Sequence, residues 1–443
     1  MMKNENKNES KLFFFIFLSF FLLFVASIIL QEYIVSIAII LVCGFVFQKL
    51  FSLEGFLFFY LLKSNLGISQ MKKLSKKEVF SKISEAFLFT AFGFFLFLFK
   101  KPRKEHFFGF LILLLIWFLL PFYSLSFLSI FSSSLPNLSS TSTLQFSSFS
   151  SVLEILFLLI FFSFGLFGFA FFSIFLNSFF ILQTYFQKEK PIPGIVPAIP
   201  GYNLPLLSGI LSLFILLTFH EFSHGVMSIS KKVNVKSTGL LIAGVLPIGA
   251  FVENDEKKME KISKDAQNQI LIAGVAANIL LSIFFFLFFL LILNIKIENF
   301  VQVVEALNSS LKKGDIIIKF GNFSISSFLD LKNAEEYYLS KNITNVEIVI
   351  KNKSGEFTKS IQTKNGKIGA YFEEVPKNEL LSFFISFIEL SFLLNFVLAT
   401  TNLLPIPGLD GYKLLSNLVG KYSKIFEYIT IFLFLLNLLP FFV

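Results

Sequence analysis

The chain is punctuated by apolar runs of membrane-spanning length, and no other feature narrows its fold as much. Residues 12–30, 34–62, 85–99, 106–133, 152–183, 204–222, 269–293, 380–404 and 425–443 are almost free of charge. A helix needs about 20 apolar residues to cross the hydrocarbon of a bilayer. The runs therefore predict a polytopic α-helical membrane protein with about 7–9 spans. Composition agrees, with 55% hydrophobic residues, only 15% charged residues and a mean hydropathy of +0.76. Soluble domains average about 45–50% apolar and about 25% charged residues, so a soluble enzyme, a disordered tail and a fibrous repeat are excluded.

The formal charge of +9 does not point to nucleic acid, because the lysines stand in short runs beside apolar segments, where basic residues mark cytoplasmic loops. Arg103 is the sole arginine, and Cys43 the sole cysteine, so an internal disulfide and a thiolate metal cluster are ruled out. Residues 1–11 carry three lysines ahead of the first run and read as the start of a signal anchor, rather than of a signal cleaved near Ala26 and Ser27. The run 85–99 is short for a span and has lysines on both sides, Lys72 to Lys82 and Lys100 to Lys104, which predicts a segment lying in the interface. The serine-rich stretch 134–150 reads as a solvated linker. Residues 187–203 hold four prolines and cannot be helical through their middle, so they form either a surface loop or a gate beside the next helix.

Residues 298–375 interrupt the apolar pattern for long enough to fold by themselves. Short β-rich runs (Ile316 to Phe320, Val346 to Lys351, Phe357 to Thr363) alternate with turn signals (Lys313-Gly314-Asp315, Gly321-Asn322, Ser354-Gly355, Asn365-Gly366) and one amphipathic stretch, Phe328 to Leu339. This predicts a small water-soluble α+β insert. The run SLKKGDIIIKFGNFSI resembles the signature of PDZ domains, which bind extended peptides by adding a strand to a sheet edge.

Of the three histidines, His106, His220 and His224, two fall in His220-Glu221-Phe222-Ser223-His224. On a helix, positions i and i+4 share a face, so both imidazoles can reach one Zn²⁺ while Glu221 addresses the water to be activated. The motif closes an apolar run, and ionisable side chains at membrane depth are costly enough to mark a functional site. His106, beside the basic run at 100–104, needs no role. A catalytic zinc requires a third ligand, and Asp410 is available in Asn402-Leu403-Leu404-Pro405-Ile406-Pro407-Gly408-Leu409-Asp410-Gly411. Alternatively Asp410 caps a helix from about 412 to 421.

Together TFHEFSHGVMSI, AGVAANILLS (273–282) and NLLPIPGLDG are similar to the site-2 proteases, the M50 family of zinc intramembrane metalloproteases, in its archaeal and eukaryotic-type branch, over roughly residues 195–420. The resemblance implies one zinc held by His220, His224 and Asp410, Glu221 as general base, and Asn278 and Asn402 as active-site support. Asn278 and Asn402 are equally suited to hydrogen-bonding between helices. IPGYNLP (199–205) and PIGAFVE (247–253) resemble segments flanking the zinc helix, the second forming a re-entrant loop. Val275 departs from the proline that many members carry.

The organisation expected is an N-terminal transmembrane region, 1–183; a protease core, 184–297; the PDZ-like domain, 298–375; and a C-terminal membrane core, 376–443. Lys231, Lys232, Lys236, Lys257, Lys258, Lys261 and Lys264 put the HExxH end of its helix on the cytoplasmic side. The expected substrates are transmembrane proteins, within the lipid of a prokaryotic plasma membrane and in regulated intramembrane proteolysis. Segments 191–203 and 239–250 are candidates for pairing with an unwound substrate. Two rivals are a CAAX-type membrane protease with a glutamate as third ligand and a non-catalytic scaffold presenting the insert.

Overall fold

The computed structural model describes residues 2–30, 33–131, 151–293, 299–306, 311–352, 355–363 and 367–442; the stretch 134–150, Ser354 and the Asn365-Gly366 turn lie outside them. Among the described residues, seven helical stretches are long and apolar enough to cross a membrane, with shorter apolar helices at Lys11–Ser27 and Val35–Phe51. The chain is an integral membrane protein carrying a soluble β-rich domain.

The N-terminal helices α1 (Met2–Ile29) and α2 (Tyr33–Phe51) form an apolar pair whose aromatic contacts include Phe13 on Phe47 at 4.8 Å between ring centres. The run 34–62 is not one helix. It ends at Phe51 and continues as β1 (Gly55–Phe56) and β2 (Phe59–Ser64). After α3 (Ile68–Leu74) comes α4 (Val79–Phe92), then a 3₁₀ turn over Gly93–Leu98, then α5 (Lys104–Phe131). Helix α6 (Ser151–Phe186) is broken at Gly165, and the zinc-motif helix α7 (Leu206–Ser230) leads into the hairpin β3 (Val235–Ala243) and β4 (Leu246–Asn254). Next are α8 (Glu256–Lys261) and α9 (Lys264–Leu293).

The run 85–99 is not one continuous helix. Every residue of α4 from Ser84 to Phe92 is buried, and the chain reverses at Gly93, whose φ of +56° is open to glycine. Phe97 returns to within 5.4 Å of Phe89 and 5.5 Å of His106, ring centre to ring centre. The second lysine-rich flank thereby returns to the first part of α4, Lys100 Nζ lying 2.7 Å from Glu85 Oε1. Gly93 also lies against the carbonyl of Phe162, and Gly165 against Thr90 and Ala91, so the two breaks interlock where a β-carbon would not fit.

The hairpin β3–β4 joins β1 and β2 in one antiparallel sheet of order β1-β2-β3-β4, with Phe59 opposite Ala243 and Ser64 opposite Thr238. The 1–183 and 184–297 divisions therefore share a sheet. A strand at membrane depth must have its polar backbone satisfied and be shielded from lipid. β2 satisfies the outer edge of β3, Tyr60 donates to the Gly244 carbonyl at 2.8 Å, and α2 lies so close that a β-carbon on Gly244 would meet the Ile40 backbone. Where the sheet leaves the apolar zone, Glu253 accepts from Ser237 Oγ at 2.6 Å and pairs with Lys63 at 3.4 Å, which holds its carboxyl below the usual range.

The insert consists of β5 (Asn299–Ala306), β6 (Ile316–Phe320), β7 (Phe323–Ser324), α10 (Phe328–Ser340), β8 (Asn345–Asn352), β9 (Gly355–Gln362) and β10 (Ala370–Pro376). Its sheet has the order β10-β5-β6-β8-β9 around a core including Val301, Ile317, Phe320, Leu331 and Ile350. The Gly-Asp turn is built as its residues require: Gly314 has φ +91° and the buried Asp315 accepts from the Lys312 amide at 2.9 Å and from Asn352 Nδ2 at 3.2 Å. Asn299 pairs with Pro376, so the insert begins and ends at adjacent points. It can thus sit between α9 and its neighbour α11 (Glu379–Thr401) without parting them. Serines join the core helices: Ser282 Oγ donates to the Phe392 carbonyl at 2.7 Å, and Ser212 Oγ lies 2.9 Å from Ser391 Oγ. The chain ends with α12 (Asp410–Val419) and α13 (Ser423–Leu438).

Gly93→Ala tests the reversal. A side chain at left-handed φ costs about 1–2 kcal/mol, and the new methyl presses on Phe162, so the thermal midpoint in detergent should fall by several degrees. An unchanged midpoint would mean that the reversal does not depend on glycine.

Candidate metal centre

The helix α7 places His220 and His224 one turn apart on a buried face, 5% and 8% exposed. Asp410 reaches them from the other side of the bundle because Pro405, Pro407 and Gly408, the last at φ +97°, end the path of α11 and turn the chain into α12. Gly411 closes that turn. Its amide donates to the Asn402 carbonyl at 2.6 Å, and a β-carbon on it would strike Leu403. The capping alternative for Asp410 does not hold: the N-cap of α12 is Leu409, and Asp410 is the first helical residue.

Three ligand atoms converge. His220 Nε2 and His224 Nε2 are 3.1 Å apart, and Asp410 Oδ2 lies 3.3 Å from the first and 3.2 Å from the second. Atoms about 2.0–2.1 Å from one tetrahedral zinc are separated by about 3.3 Å, so the triangle fits that ion. The tautomers agree. His224 Nδ1 lies 2.8 Å from the Ile270 carbonyl, which can only accept, so Nδ1 carries the hydrogen and Nε2 presents a lone pair. Asp410 Oδ2 is buried without a hydrogen-bond donor. Acceptors facing one buried point need a shared cation. Among the described residues, these three form the one group of histidine, cysteine and acidic side chains able to hold a metal.

Glu221 points from α7 towards the hairpin, where its Oε2 accepts from the Val252 amide of β4 at 3.1 Å. Asn278 contacts the back of the His220 ring, with Nδ2 at 3.1 Å from Nδ1, while its own Oδ1 is buried without a partner. Exchanging the amide oxygen and nitrogen lets Oδ1 accept from Nδ1–H, the tautomer that frees Nε2 for a metal. Asn402 is on the opposite face, Nδ2 being 3.4 Å from His220 Nε2. The two asparagines are therefore not equivalent: Asn278 contacts the Nδ1 edge of the His220 ring and Asn402 its Nε2 edge.

Segment 191–203 does not reach this centre. It precedes α7, whose first residue is separated from His220 by about 21 Å of helix. It packs on the C-terminal helix instead, the Gly194 amide donating to the Asn437 carbonyl at 3.2 Å. Segment 239–250, by contrast, lies in the hairpin beside α7. His106 is remote from the metal ligands and buried, with Nε2 3.1 Å from Glu85 Oε1.

Gly274 is the site residue whose role the sequence did not reveal, although it stands in the AGVAAN run. A β-carbon there would lie 2.5 Å from His220 Cε1 and 2.5 Å from His224 Nε2. The signal was a glycine in the interior of a helix, where it is unfavourable without a packing reason. Helix α9 runs unbroken through Val275, so valine in place of proline leaves the turn that carries Gly274 helical.

A buried two-histidine, one-carboxylate centre with an adjacent glutamate on a membrane helix defines the metalloprotease class of site. Residues 208–427 match peptidase family M50, and the chain is 30% identical over 253 residues to an uncharacterized protein of Methanocaldococcus jannaschii, covering 54% of this chain and 67% of that protein. The chain belongs to peptidase family M50, a family of zinc metalloproteases.

Gly274→Ala should lower zinc retained through gel filtration well below that of the wild type. Full retention would show that α9 can withdraw from the imidazoles.

Proposed function

We propose that the protein is a zinc-dependent intramembrane endopeptidase of the site-2 type, cutting peptide bonds in or near transmembrane segments of other membrane proteins. The observation that carries this reading is the convergence of His220 Nε2, His224 Nε2 and Asp410 Oδ2 within 3.3 Å of one another, with both histidines on an apolar helix long enough to cross a membrane. Zinc held there would supply a Lewis acid and lower the pKa of a water molecule towards about 7. Glu221 then takes the proton of the attacking water and passes it to the departing amine. Asn402, on the same face, donates its amide hydrogen to the oxygen of the scissile carbonyl as charge develops. The hydrogen bond from Val252 fixes the Glu221 carboxylate and leaves its other oxygen for the proton.

A helical substrate hides its carbonyls in its own hydrogen bonds and must unwind. The edge of β4 offers a place for the unwound strand. In the order β1-β2-β3-β4 it is unpaired on one side, and a shallow cleft lined by Phe214, Leu217, Thr218, Gly249 and Ala250 separates it from α7. The Val252 amide points out of that edge to Glu221, and the two-residue period of a strand turns the Ala250 amide the same way.

The lysines between α7 and α9 support a cytoplasmic orientation of the metal centre, in a membrane we take to be the plasma membrane of a prokaryote. In that orientation α9 would leave the cytoplasmic side and α11 return to it, with the insert on the outside. Its strand order around one helix, with the Gly-Asp turn, supports a PDZ-like peptide filter in regulated intramembrane proteolysis. The CAAX-type and scaffold readings have no observation in their favour.

The test is zinc per chain in detergent-purified protein. The wild type should hold about one, Asp410→Ala none, and Glu221→Gln about one with no cleavage of a reconstituted transmembrane substrate; zinc retained by Asp410→Ala refutes the ligand set. Removing 298–375 should widen the range of transmembrane substrates cut, and an unchanged range would rule out the filter.

A further inference from the structure

The sole arginine of the chain and its one histidine outside the metal centre meet at one buried carboxylate. Glu85, 3% exposed on α4, has Oε1 2.7 Å from Lys100 Nζ, 3.3 Å from Arg103 Nη1 and 3.1 Å from His106 Nε2. Arg103 spans a second acid with its other nitrogen, Nη2, 3.4 Å from Asp265 Oδ2 on α9. His106 is held in one tautomer, since its Nδ1 accepts from the Arg103 amide at 3.0 Å and Nε2 therefore donates to Glu85. Nothing in the chemistry of the metal centre uses any of these groups.

The cluster nevertheless touches both helices of that centre. Gln269 Nε2 on α9 donates to Glu85 Oε2 at 2.8 Å, and Gln269 Oε1 accepts from Ser81 Oγ at 2.9 Å. Ser81 Oγ in turn accepts from Lys231, the residue following α7, at 3.0 Å. The residue after Gln269 is Ile270, whose carbonyl orients His224. Gly274 and Asn278, four and eight residues further along the same face of α9, press on the imidazoles and orient His220. One helix thus sets both rings by three contacts, and a small slide or rotation would disturb all three.

We propose that the Glu85 cluster is a positioning site for the metal centre, fixing the height and rotation of α9 through Gln269 and Asp265 and thereby the geometry of His220 and His224. Two cations bridge the same pair of acids on different helices: Lys100 Nζ lies 2.7 Å from Glu85 Oε1 and 3.4 Å from Asp265 Oδ1, and Arg103 adds a second bridge with the two nitrogens of its planar fork. The proposal rests on the metal-centre reading above.

The experiment is the rate at which a chelator removes zinc from full-length protein in detergent, with the absorption spectrum of the cobalt-loaded protein beside it. Partners of metal-ligating histidines are worth about 10–100-fold in metal affinity. Gln269→Leu, which leaves the ion pairs of Glu85 intact, should release zinc at least about tenfold faster and shift the cobalt bands. Arg103→Lys should fall between it and the wild type. Glu85→Gln should match or exceed Gln269→Leu, but Gln269→Leu decides should Glu85→Gln fail to fold. Unchanged release and spectrum in Gln269→Leu and Arg103→Lys, with only a lower thermal midpoint, would overturn the proposal and leave the cluster a fastening of the fold. A wild type that binds no zinc would overturn the metal-centre reading itself, and this proposal with it.

Discussion

Every polar backbone group inside a bilayer must find a partner within the protein, and the shape of this molecule follows from that requirement. Beside its helices the core has a β-hairpin and a proline- and glycine-rich break, irregular chain of the kind that lipid excludes. The hairpin β3–β4 is admitted because β2 satisfies one edge, Tyr60 satisfies the carbonyl at the tip, and α2 covers the turn. The break between α11 and α12 is admitted because the Gly411 amide closes back on Asn402. What looks like an N-terminal appendage is thus the casing of the site.

Within that casing the metal centre depends on the placement of a single helix. The contacts of Ile270, Gly274 and Asn278 recur every four residues along α9, so they lie on one face and move together. Ligands of this kind need positional accuracy within about half an ångström. Apolar side chains are poor at supplying it, because dispersion is shallow and non-directional. Directional hydrogen bonds to Asn278 and Ile270, and the small van der Waals profile of Gly274, supply it instead.

The candidate ligand cluster was more legible in the sequence than the architecture. HExxH is local, and helical periodicity alone aligns its histidines; the proline and glycine around Asp410 announced a break near the membrane, and the short alternating runs of the insert, Ile316 to Phe320 among them, became strands at those positions. The misreadings came from pairings across long stretches of chain. That residues 59–64 form a strand is decided by β3, about 180 positions on, and their composition is as apolar as a helix. That 85–99 turns back is decided by Gly93 and Gly165 fitting against each other's neighbours, although lysines on both flanks already argued against a crossing. His106 was set aside because a lone histidine beside a basic run carries no pattern; only the fold shows Glu85 opposite it.

The sheet also has a handed economy. Of the two edges that the hairpin presents, β2 closes that of β3, while β4 keeps its own open on the side of α7. That open edge would be an aggregation hazard in water. Here it is turned inward against a helix, and its Val252 amide is already engaged by Glu221. On the proposed reading, a strand added along β4 would meet Glu221 near the end of that edge, since Val252 stands two residues from the end of β4. On that reading, closing one edge and leaving the other beside α7 would let a single event pair an unwound substrate strand with the sheet and bring it to the metal-ligating residues.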